Sequence, residues 1–547
     1  SGAVPARGDG GWRWPLLLTA AILSVPVAVI AGALLLPFSP TWAHLLDTVI
    51  PDYVLNSLLL MIGVGTGTFV IGVGAAWLTT AYRFPGRRIL SWALLLPMAM
   101  PAYIIAYTYT GLLDFSGPVQ SLLRETFNWR YGDYWFPEIR SLGGAICMLS
   151  LVLYPYVYLL TRVAFMEQSA AILEASRSLG RSPRQTFFAV ALPMARPAIV
   201  AGVSLALMET LADFGTVDYF GVSAFTTGIF RTWYGLGELT TAAQLSAMLL
   251  VFVLVLIVLE RLSRARMRFH NTSARPASRI RLAGWQRWSA TATLTTVVTI
   301  GFLLPALQLA LWSAARWETA IDAGFLSLVT NSFLLASLAS VCCLLVALLL
   351  GYGKRLSPGR LEQASVRVAG MGYAVPGTVI AVGVLIPFAW LDNRVDALAM
   401  AWFDTSTGLL LSGTLAALVF AYVVRFLSVS LQSVESGLAR IRPALDESAR
   451  TLGANGFTTL RRVHLPILRG SLLTALLLVF VDVLKELPAT LILRPFNVNT
   501  LAVRTYELAS DERLVDAATP ALAIVLIGLL PVILLVRALL AGETDRG

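Results

Sequence analysis

Glu174-Ala175-Ser176 begins a polar stretch that continues through Gly180 to Leu192 and Pro193. The same pattern returns 273 positions later, at Glu447-Ser448-Ala449, Gly453, Leu465 and Pro466. Each copy is an arginine-bearing island of about 25 residues in a mostly apolar chain. An internal repeat with unchanged spacing predicts two related halves, each built around one island.

The composition indicates a polytopic membrane protein. Of the 547 residues, 57% are hydrophobic and 13% are charged. A soluble domain could not bury so much apolar surface, whereas a bundle of membrane helices need not bury it. A membrane-spanning helix needs about 20 apolar residues, and the sequence lacks the short alternating segments of a membrane barrel. Twelve windows are suitable, at about 15–37, 55–81, 89–112, 141–161, 196–212, 241–260, 289–312, 328–352, 366–390, 408–430, 470–493 and 517–540.

The distribution of charge predicts the orientation. With the N-terminus in the cytoplasm, 31 of the 41 Lys and Arg residues fall on the cytoplasmic side. Loops rich in Lys and Arg remain in the cytoplasm. We therefore expect a bacterial inner-membrane protein with both termini and both islands in the cytoplasm. We also expect the first apolar window to be a retained helix rather than a removed signal peptide.

The predicted domains follow the repeat. The first half, residues 1–260, contains six windows and an island loop at about 167–195. Residues 261–288 carry eight arginines, and we interpret them as a cytoplasmic linker that lies against anionic lipid headgroups. The second half, residues 289–547, contains six more windows and an island loop at about 435–468. The basic net charge thus reflects membrane topology, and we expect no nucleic-acid binding.

Within an island the residues predict a helix, a turn and a second helix. In the first copy, a short amphipathic helix from Glu174 would stop at Gly180, and a second helix would begin at about Pro183. Pro193 would end that second helix before the next membrane span. Such an element is suited to docking another protein.

Two carboxylate pairs occupy equivalent positions near the outer end of one helix in each half. Glu209 and Asp213 correspond to Asp482 and Glu486 at the same offset of 273. Acids four positions apart lie on one helical face, and ionisable groups at membrane depth usually face a cavity or a charged partner. We predict that the four acids line a solute pathway. The alternative is that Lys485 and nearby arginines neutralise them.

The sequence lacks the motifs of an enzyme. It contains no G-x-x-x-x-G-K-[ST] phosphate loop, no G-x-S-x-G element and no H-E-x-x-H element. The histidines His44, His270 and His464 are dispersed, and the three cysteines lie in apolar windows without metal-ligand spacing. We expect no catalytic residue and no cofactor bound by this chain, so that ATP would be hydrolysed by another chain.

The two islands resemble the EAA motif of ABC-importer permeases, in which a Glu-Ala-Ala-like triplet is followed by a glycine and a final Leu-Pro. The whole chain is similar to fused permeases in which one polypeptide supplies both membrane halves. The resemblance implies an all-α, MetI-like type I importer fold with about twelve transmembrane helices. It also implies alternating access, a periplasmic binding protein, and two copies of an ABC ATPase that bind ATP and Mg. The implied ATPase-coupling residues are Glu174, Ala175, Gly180, Leu192, Pro193, Glu447, Ala449, Gly453, Leu465 and Pro466.

Several stretches are most similar to the ferric-iron permease branch, and they lie at residues 211–221, 225–229, 485–490, 493–496 and 506–512. The resemblance implies Fe³⁺ as the solute. Fe³⁺ is a hard cation that prefers carboxylate and phenolate oxygens. We therefore expect transient metal contact at the acids, and we count two tyrosines of the third window as pathway candidates. These residues are Glu209, Asp213, Asp482, Glu486, Tyr103 and Tyr107.

Other functions remain open at this point. Thiamine or another organic cation would also suit an acidic pathway, and its rings would favour the tyrosines; the same tyrosines could simply pack or anchor the helix. A secondary transporter driven by an ion gradient would explain the repeat and the acids at membrane depth, but not the paired cytoplasmic islands. A membrane scaffold would show no solute flux.

Overall fold

The computed structural model describes residues 10–130, 132–168, 176, 178–265 and 279–544. In these ranges the chain is almost entirely helical. Two-residue strands β1 (Tyr82–Arg83) and β2 (Ile280–Arg281) pair in parallel. Short 3₁₀ turns lie at Gly10–Trp12, Leu96–Ala99 and Gly372–Ala374.

Most of the long α-helices form where the apolar windows were found, and shorter helices lie between them. Up to residue 265 they are α1 (Arg13–Ala33), α2 (Thr41–Thr48), α3 (Ile50–Ala81), α4 (Arg87–Ala93), α5 (Ala102–Leu113), α6 (Pro118–Phe127), α7 (Leu142–Glu167), α8 (Pro183–Ala212), α9 (Gly215–Tyr219), α10 (Phe225–Phe230) and α11 (Leu239–Ala265). After residue 279 they are α12 (Gly284–Ala315), α13 (Trp317–Ala320), α14 (Ala323–Leu356), α15 (Arg360–Ala369), α16 (Gly377–Phe403), α17 (Leu415–Ala439), α18 (Pro443–Thr451), α19 (Gly456–Leu484), α20 (Pro488–Leu493), α21 (Leu501–Ser510) and α22 (Leu514–Thr544).

Within the described ranges, eleven helices are long and apolar enough to span a membrane. A bent pair, Arg87–Ala99 with Ala102–Phe127, passes the same test when taken together, and its two parts differ in direction by 94°, so that the count is twelve when the pair is taken as one span. Pro97 and Pro101 lie at the break, where they cannot donate backbone hydrogen bonds. The prediction of an all-α protein with about twelve transmembrane helices is confirmed, and the third predicted window is interrupted by a sharp bend.

The ninth span is displaced from its predicted window at 366–390. The spanning helix is α16, which begins at Gly377 and continues to Phe403. Residues before it belong to the amphipathic helix α15 and a 3₁₀ turn, and Pro376 occupies the N-cap position of α16. The window was misplaced because apolar residues of α15 and the turn extended the hydrophobic run.

Three long helices accommodate an internal proline in the same way. Each contains a π-helical turn that is followed by a Leu-Pro pair, and these turns are Phe187–Ala191, Thr299–Leu303 and Leu460–His464. A wider turn disrupts the regular hydrogen-bond ladder just where the missing proline N–H would have donated. The prediction that Pro193 ends a segment is therefore wrong, because α8 continues through it to Ala212.

The chain forms two compact units, and each draws segments from both halves of the sequence repeat. The first unit comprises Ser1–Trp42, Ile229–Met248 and Asp322–Arg504. The second comprises Ala43–Gly228, Leu249–Ile321 and Thr505–Gly547. Units and repeat thus divide the chain differently, and the domain limits drawn at residues 260 and 288 stay a prediction.

In the first unit, α14 packs against α17 and α19, and α1 packs along α16. The approach of α1 to α16 depends on Gly383. A Cβ placed there would lie 2.6 Å from the backbone oxygen of Pro26. Any side chain at this position would separate the two helices.

In the second unit, α3 packs against α7, and α8 covers both. Small residues allow close approach between membrane helices. Gly72 is one of them, because a Cβ there would lie 2.7 Å from Cβ of Val157. The end of α12 packs against α22 in the same unit.

Candidate functional site

The first island is described in part. Glu174 and Ala175 lie outside the described residues. Gly180 adopts a φ of +79°, the left-handed conformation that glycine accommodates at a helix stop. The next helix begins at Pro183, and Ser182 and Gln185 cap it reciprocally at distances of 3.3 and 2.9 Å. The predicted stop and restart are confirmed for the described part of this island.

The second island has the same local structure. Helix α18 contains Glu447, which is exposed, and Ala449, which is buried. Gly453 follows with a φ of +80°. Asn455 then accepts a hydrogen bond from the backbone N–H of Thr458 at 2.8 Å and caps α19. The repeat in sequence is thus a repeat in backbone conformation.

The final Leu-Pro pair of each island lies within a helix. Leu192 and Leu465 are partly buried, whereas Pro193 and Pro466 are exposed. Within each pair, the leucine is thus the more covered residue and the proline the more exposed one. Their predicted contact with a partner stays a prediction.

Sequence reasoning overlooked one leucine in each island. Leu179 and Leu452, again 273 positions apart, are 81% and 87% exposed. Each directly precedes the glycine that stops the helix. An exposed leucine therefore occupies the equivalent position in both islands. The signal in the sequence was an apolar residue retained at the helix stop in both copies.

Two of the four candidate acids cap short helices. In the second unit, Asp213 accepts hydrogen bonds from the N–H groups of Thr216 and Val217 at 3.0 and 3.1 Å. The Thr216 hydroxyl also donates to Asp213, at 3.0 Å. These contacts satisfy the first turn of α9.

Glu486 does the same in the first unit. It accepts hydrogen bonds from the N–H groups of Ala489 and Thr490 at 2.9 and 3.0 Å, and from the Thr490 hydroxyl at 2.7 Å. Helix α20 begins at this point. Capping therefore accounts for the carboxylates of half-buried Asp213 and buried Glu486, and a pathway role for either stays a prediction.

The other two acids differ from each other. Nζ of Lys485 lies 2.9 Å from Oδ1 of Asp482, which is the neutralising contact considered as the alternative. Glu209 is half-buried on α8. Among the described residues, no group of three His, Cys, Asp or Glu side chains comes together as a metal site. A resident metal centre is thus not seen in this part of the chain.

The two candidate tyrosines belong to the interior of the second unit. Tyr103 is 5% exposed and Tyr107 is fully buried. The Tyr107 hydroxyl donates to the backbone oxygen of Ala517 on α22 at 3.4 Å. The packing of α5 accounts for the burial of Tyr107, and contact of Tyr103 or Tyr107 with a solute stays a prediction.

A buried arginine lies near Glu486, and sequence reasoning did not single it out. Arg425 on α17 is 8% exposed. A Cβ on Gly377 would lie 2.6 Å from Nη1 of Arg425 and 2.7 Å from Oε1 of Glu486. Glycine at the start of α16 therefore leaves room for both charged groups.

Comparison with known proteins identifies the family. The family described as "Binding-protein-dependent transport system inner membrane component" matches residues 68–269 and 343–542. The chain is 27% identical to the Fe(3+)-transport system permease protein FbpB 2 of Haemophilus influenzae, over 91% of this chain and 90% of that protein. It is 23% identical to the ferric transport system permease protein FbpB of Actinobacillus pleuropneumoniae, over 80% of this chain and 64% of that protein.

A third relative matches a shorter part of the chain. It is the sulfate transport system permease protein CysT of Salmonella typhimurium, 30% identical over 37% of this chain and 71% of that protein. Members of the family are transport subunits of the inner membrane, which work with an ABC ATPase and a periplasmic binding protein. Since the two family matches together cover well over half of its residues, the chain belongs to the binding-protein-dependent transport system inner membrane components, and it is a multi-pass permease subunit of an ABC importer.

Proposed function

We propose that this permease carries ferric iron from a periplasmic binding protein into the cytoplasm. The observation that carries the proposal is the extent of the match to the Fe(3+)-transport permease, which includes both halves of the repeat and 91% of the chain. The sulfate permease matches 37% of the chain. Acids at four equivalent positions also suit a hard cation better than an anion.

The islands are the proposed docking points for two copies of an ABC ATPase, one on each island. Two observations support this role. In both islands a glycine with a positive φ ends one helix before the next begins, and both islands present an exposed leucine. The coupling residues are those of the motif: Glu174, Ala175, Gly180, Leu192, Pro193, Glu447, Ala449, Gly453, Leu465 and Pro466. ATP and Mg would be bound by the ATPase subunits, and their closure would drive alternating access.

For the solute pathway we propose that Glu209 is the first acid to test. Asp213 and Glu486 already accept backbone hydrogen bonds, and Asp482 is paired with Lys485. Within the described residues, neither capping nor an ion pair accounts for Glu209. Any contact of these acids, or of Tyr103 and Tyr107, with iron would be transient, because a transported ion must leave again.

The proposed topology places both termini and both islands in the cytoplasm, with residues 261–288 as a basic linker at the lipid surface. The excess of Lys and Arg on one side of the predicted spans supports this orientation. The binding protein would then meet the opposite face, which includes the loop between α6 and α7.

The solute can be tested by uptake in cells that lack their own iron importer. Cells that express this chain with its ATPase and binding protein are supplied with labelled ferric iron, and with labelled thiamine in parallel. We expect iron uptake that requires the chain. Thiamine uptake without iron uptake would contradict the proposed solute but leave the family and the islands intact.

A further inference from the structure

In the second island, one arginine joins three segments of the first unit. Arg355 lies at the end of α14, and its Nε and Nη2 donate to Oδ2 of Asp446 on α18 at 2.9 and 2.7 Å. Its Nη1 donates to the backbone oxygen of Leu438 at 2.6 Å, and Nη2 also donates to that of Ile441 at 2.9 Å. Arg355 therefore connects α14 to the end of α17 and to the island helix.

The same aspartate also contacts the following helix. Nε2 of His464, in the π-helical turn of α19, lies 2.7 Å from Oδ1 of Asp446. His464 is fully buried, and the side chains of Arg355 and Asp446 are 19% and 15% exposed. A nearby contact reinforces the arrangement, since the Tyr352 hydroxyl donates to the backbone oxygen of Gly456 at 2.9 Å. We refer to Arg355, Asp446 and His464 as the clasp.

The clasp lies directly beside the motif of the second island. Asp446 lies in the first turn of α18, directly before Glu447 of the motif. A carboxylate near a helix N-terminus is favourable, and two charge-assisted hydrogen bonds from one guanidinium to Oδ2 restrain its position. Any displacement of α18 would therefore be passed directly to the ends of α14 and α17.

The first island has no equivalent charges. At the positions 273 earlier, Tyr82 stands for Arg355, Leu173 for Asp446 and Ala191 for His464. Leu173 lies outside the described residues. In the first island, Nε2 of Gln168 donates a hydrogen bond to the backbone oxygen of Ala191 at 2.8 Å. The clasp is thus a property of the second island.

We propose that the clasp holds the second island firmly against the membrane helices, and that Asp446 is the positioning residue that transmits ATPase motion from α18 to those helices. This inference rests on the proposed docking of the ATPase at the islands.

The test compares Asp446→Asn with a matched control, Glu435→Gln. Glu435 forms an ion pair with Lys354 at 2.7 Å, which joins α14 to α17 without involving α18. In the purified chain alone, amide exchange of residues 443–451 should become about tenfold faster in Asp446→Asn, because a charged hydrogen-bond partner is lost, and should stay unchanged in Glu435→Gln. Arg355→Gln is the second variant and should reproduce the effect.

The transmission of ATPase motion is then measured in the complex with the ATPase and the binding protein. At equal amounts of assembled complex, iron transported per ATP should fall about fivefold or more in Asp446→Asn, while ATP hydrolysis continues and Glu435→Gln behaves as wild type. Asp446→Glu should recover part of the loss. Unchanged exchange, or faster exchange with unchanged transport per ATP, would overturn the proposal. A wild-type complex that moves no iron would contradict the proposed solute instead, and exchange in the chain alone would still decide whether the clasp holds α18.

Discussion

Arg140 holds Glu512 through two parallel hydrogen bonds, from Nη1 to Oε1 at 2.6 Å and from Nη2 to Oε2 at 2.7 Å. Both residues belong to the second unit, where they connect the start of α7 to the turn before α22. Glu512 adopts a φ of +61°, which is uncommon for a residue other than glycine. The paired guanidinium therefore helps to hold this turn.

The pair predicts a pH dependence. Hydrogen bonding from Arg140 lowers the pKa of Glu512 below its ordinary value of 4.5. Because the folded state favours the charged form, the stabilisation is present above the ordinary pKa and is lost as pH falls through the lowered value. The unfolding temperature of the wild type should fall towards that of Glu512→Gln as pH falls from the ordinary pKa through the lowered pKa of Glu512. The difference should be small, because the Glu512 side chain is 57% exposed. A constant difference across this range would contradict the assignment.

Capping by Asp213 can be separated from a pathway role by two substitutions. Asp213→Ala removes the acceptor for the first turn of α9 and should cost about 1 kcal/mol of stability. Asp213→Asn keeps an acceptor and should remain close to wild type in thermal unfolding. If flux also stays at the wild-type level in Asp213→Asn, the residue is a cap alone. A loss of flux at unchanged stability would favour the pathway role.

The exposed leucines predict where the ATPase binds. Leu179→Ala and Leu452→Ala should each weaken binding of the ATPase about tenfold, because each removes an apolar contact at the centre of an island. Leu409 is 63% exposed but lies outside both islands, so Leu409→Ala is the matched control. The measurement is the affinity of each purified variant for the ATPase. Equal affinities for all three variants and the wild type would exclude the leucines from the interface.

Substitution of Gly377 is expected to disturb the packing around Arg425 and Glu486. A Cβ at this position would approach both Arg425 and Glu486 to less than 3 Å, so Gly377→Ala should destabilise the chain by about 1–3 kcal/mol. A Cβ on Gly470, in α19, would meet nothing within 4 Å. Gly470→Ala should therefore be neutral or slightly stabilising in the same unfolding measurement. Equal stability of the two variants would show that Arg425 and Glu486 move aside readily.

Much of the architecture was predictable because it depends on hydrophobic length and on a repeat. The apolar windows required helices, and the equal spacing of the islands required equal backbone conformations at Gly180 and Gly453. The course of the chain through Pro193 was not predictable in this way. A π-helical turn absorbs the lost hydrogen bond there, and hydrophobic patterns do not reveal such turns.

The candidate acids show a second limit of sequence reasoning. Helical spacing placed Glu209 and Asp213 on one face, but α8 ends at Ala212, so Asp213 adopts an extended conformation and turns to cap α9. Whether an acid caps, pairs or faces a solute depends on where its helix ends. The partners of Arg355 likewise come from segments distant in sequence, and no local pattern marks them.

The account is tested most directly by uptake of labelled ferric iron into proteoliposomes that contain this chain with its ATPase, supplied with the loaded binding protein. We predict uptake that requires hydrolysable ATP on the ATPase side, that is unaffected by dissipating ion gradients, and that is lost when both islands are altered at Leu179 and Leu452. Iron uptake driven by an ion gradient without ATP, or ATP-driven uptake that excludes iron, would contradict it.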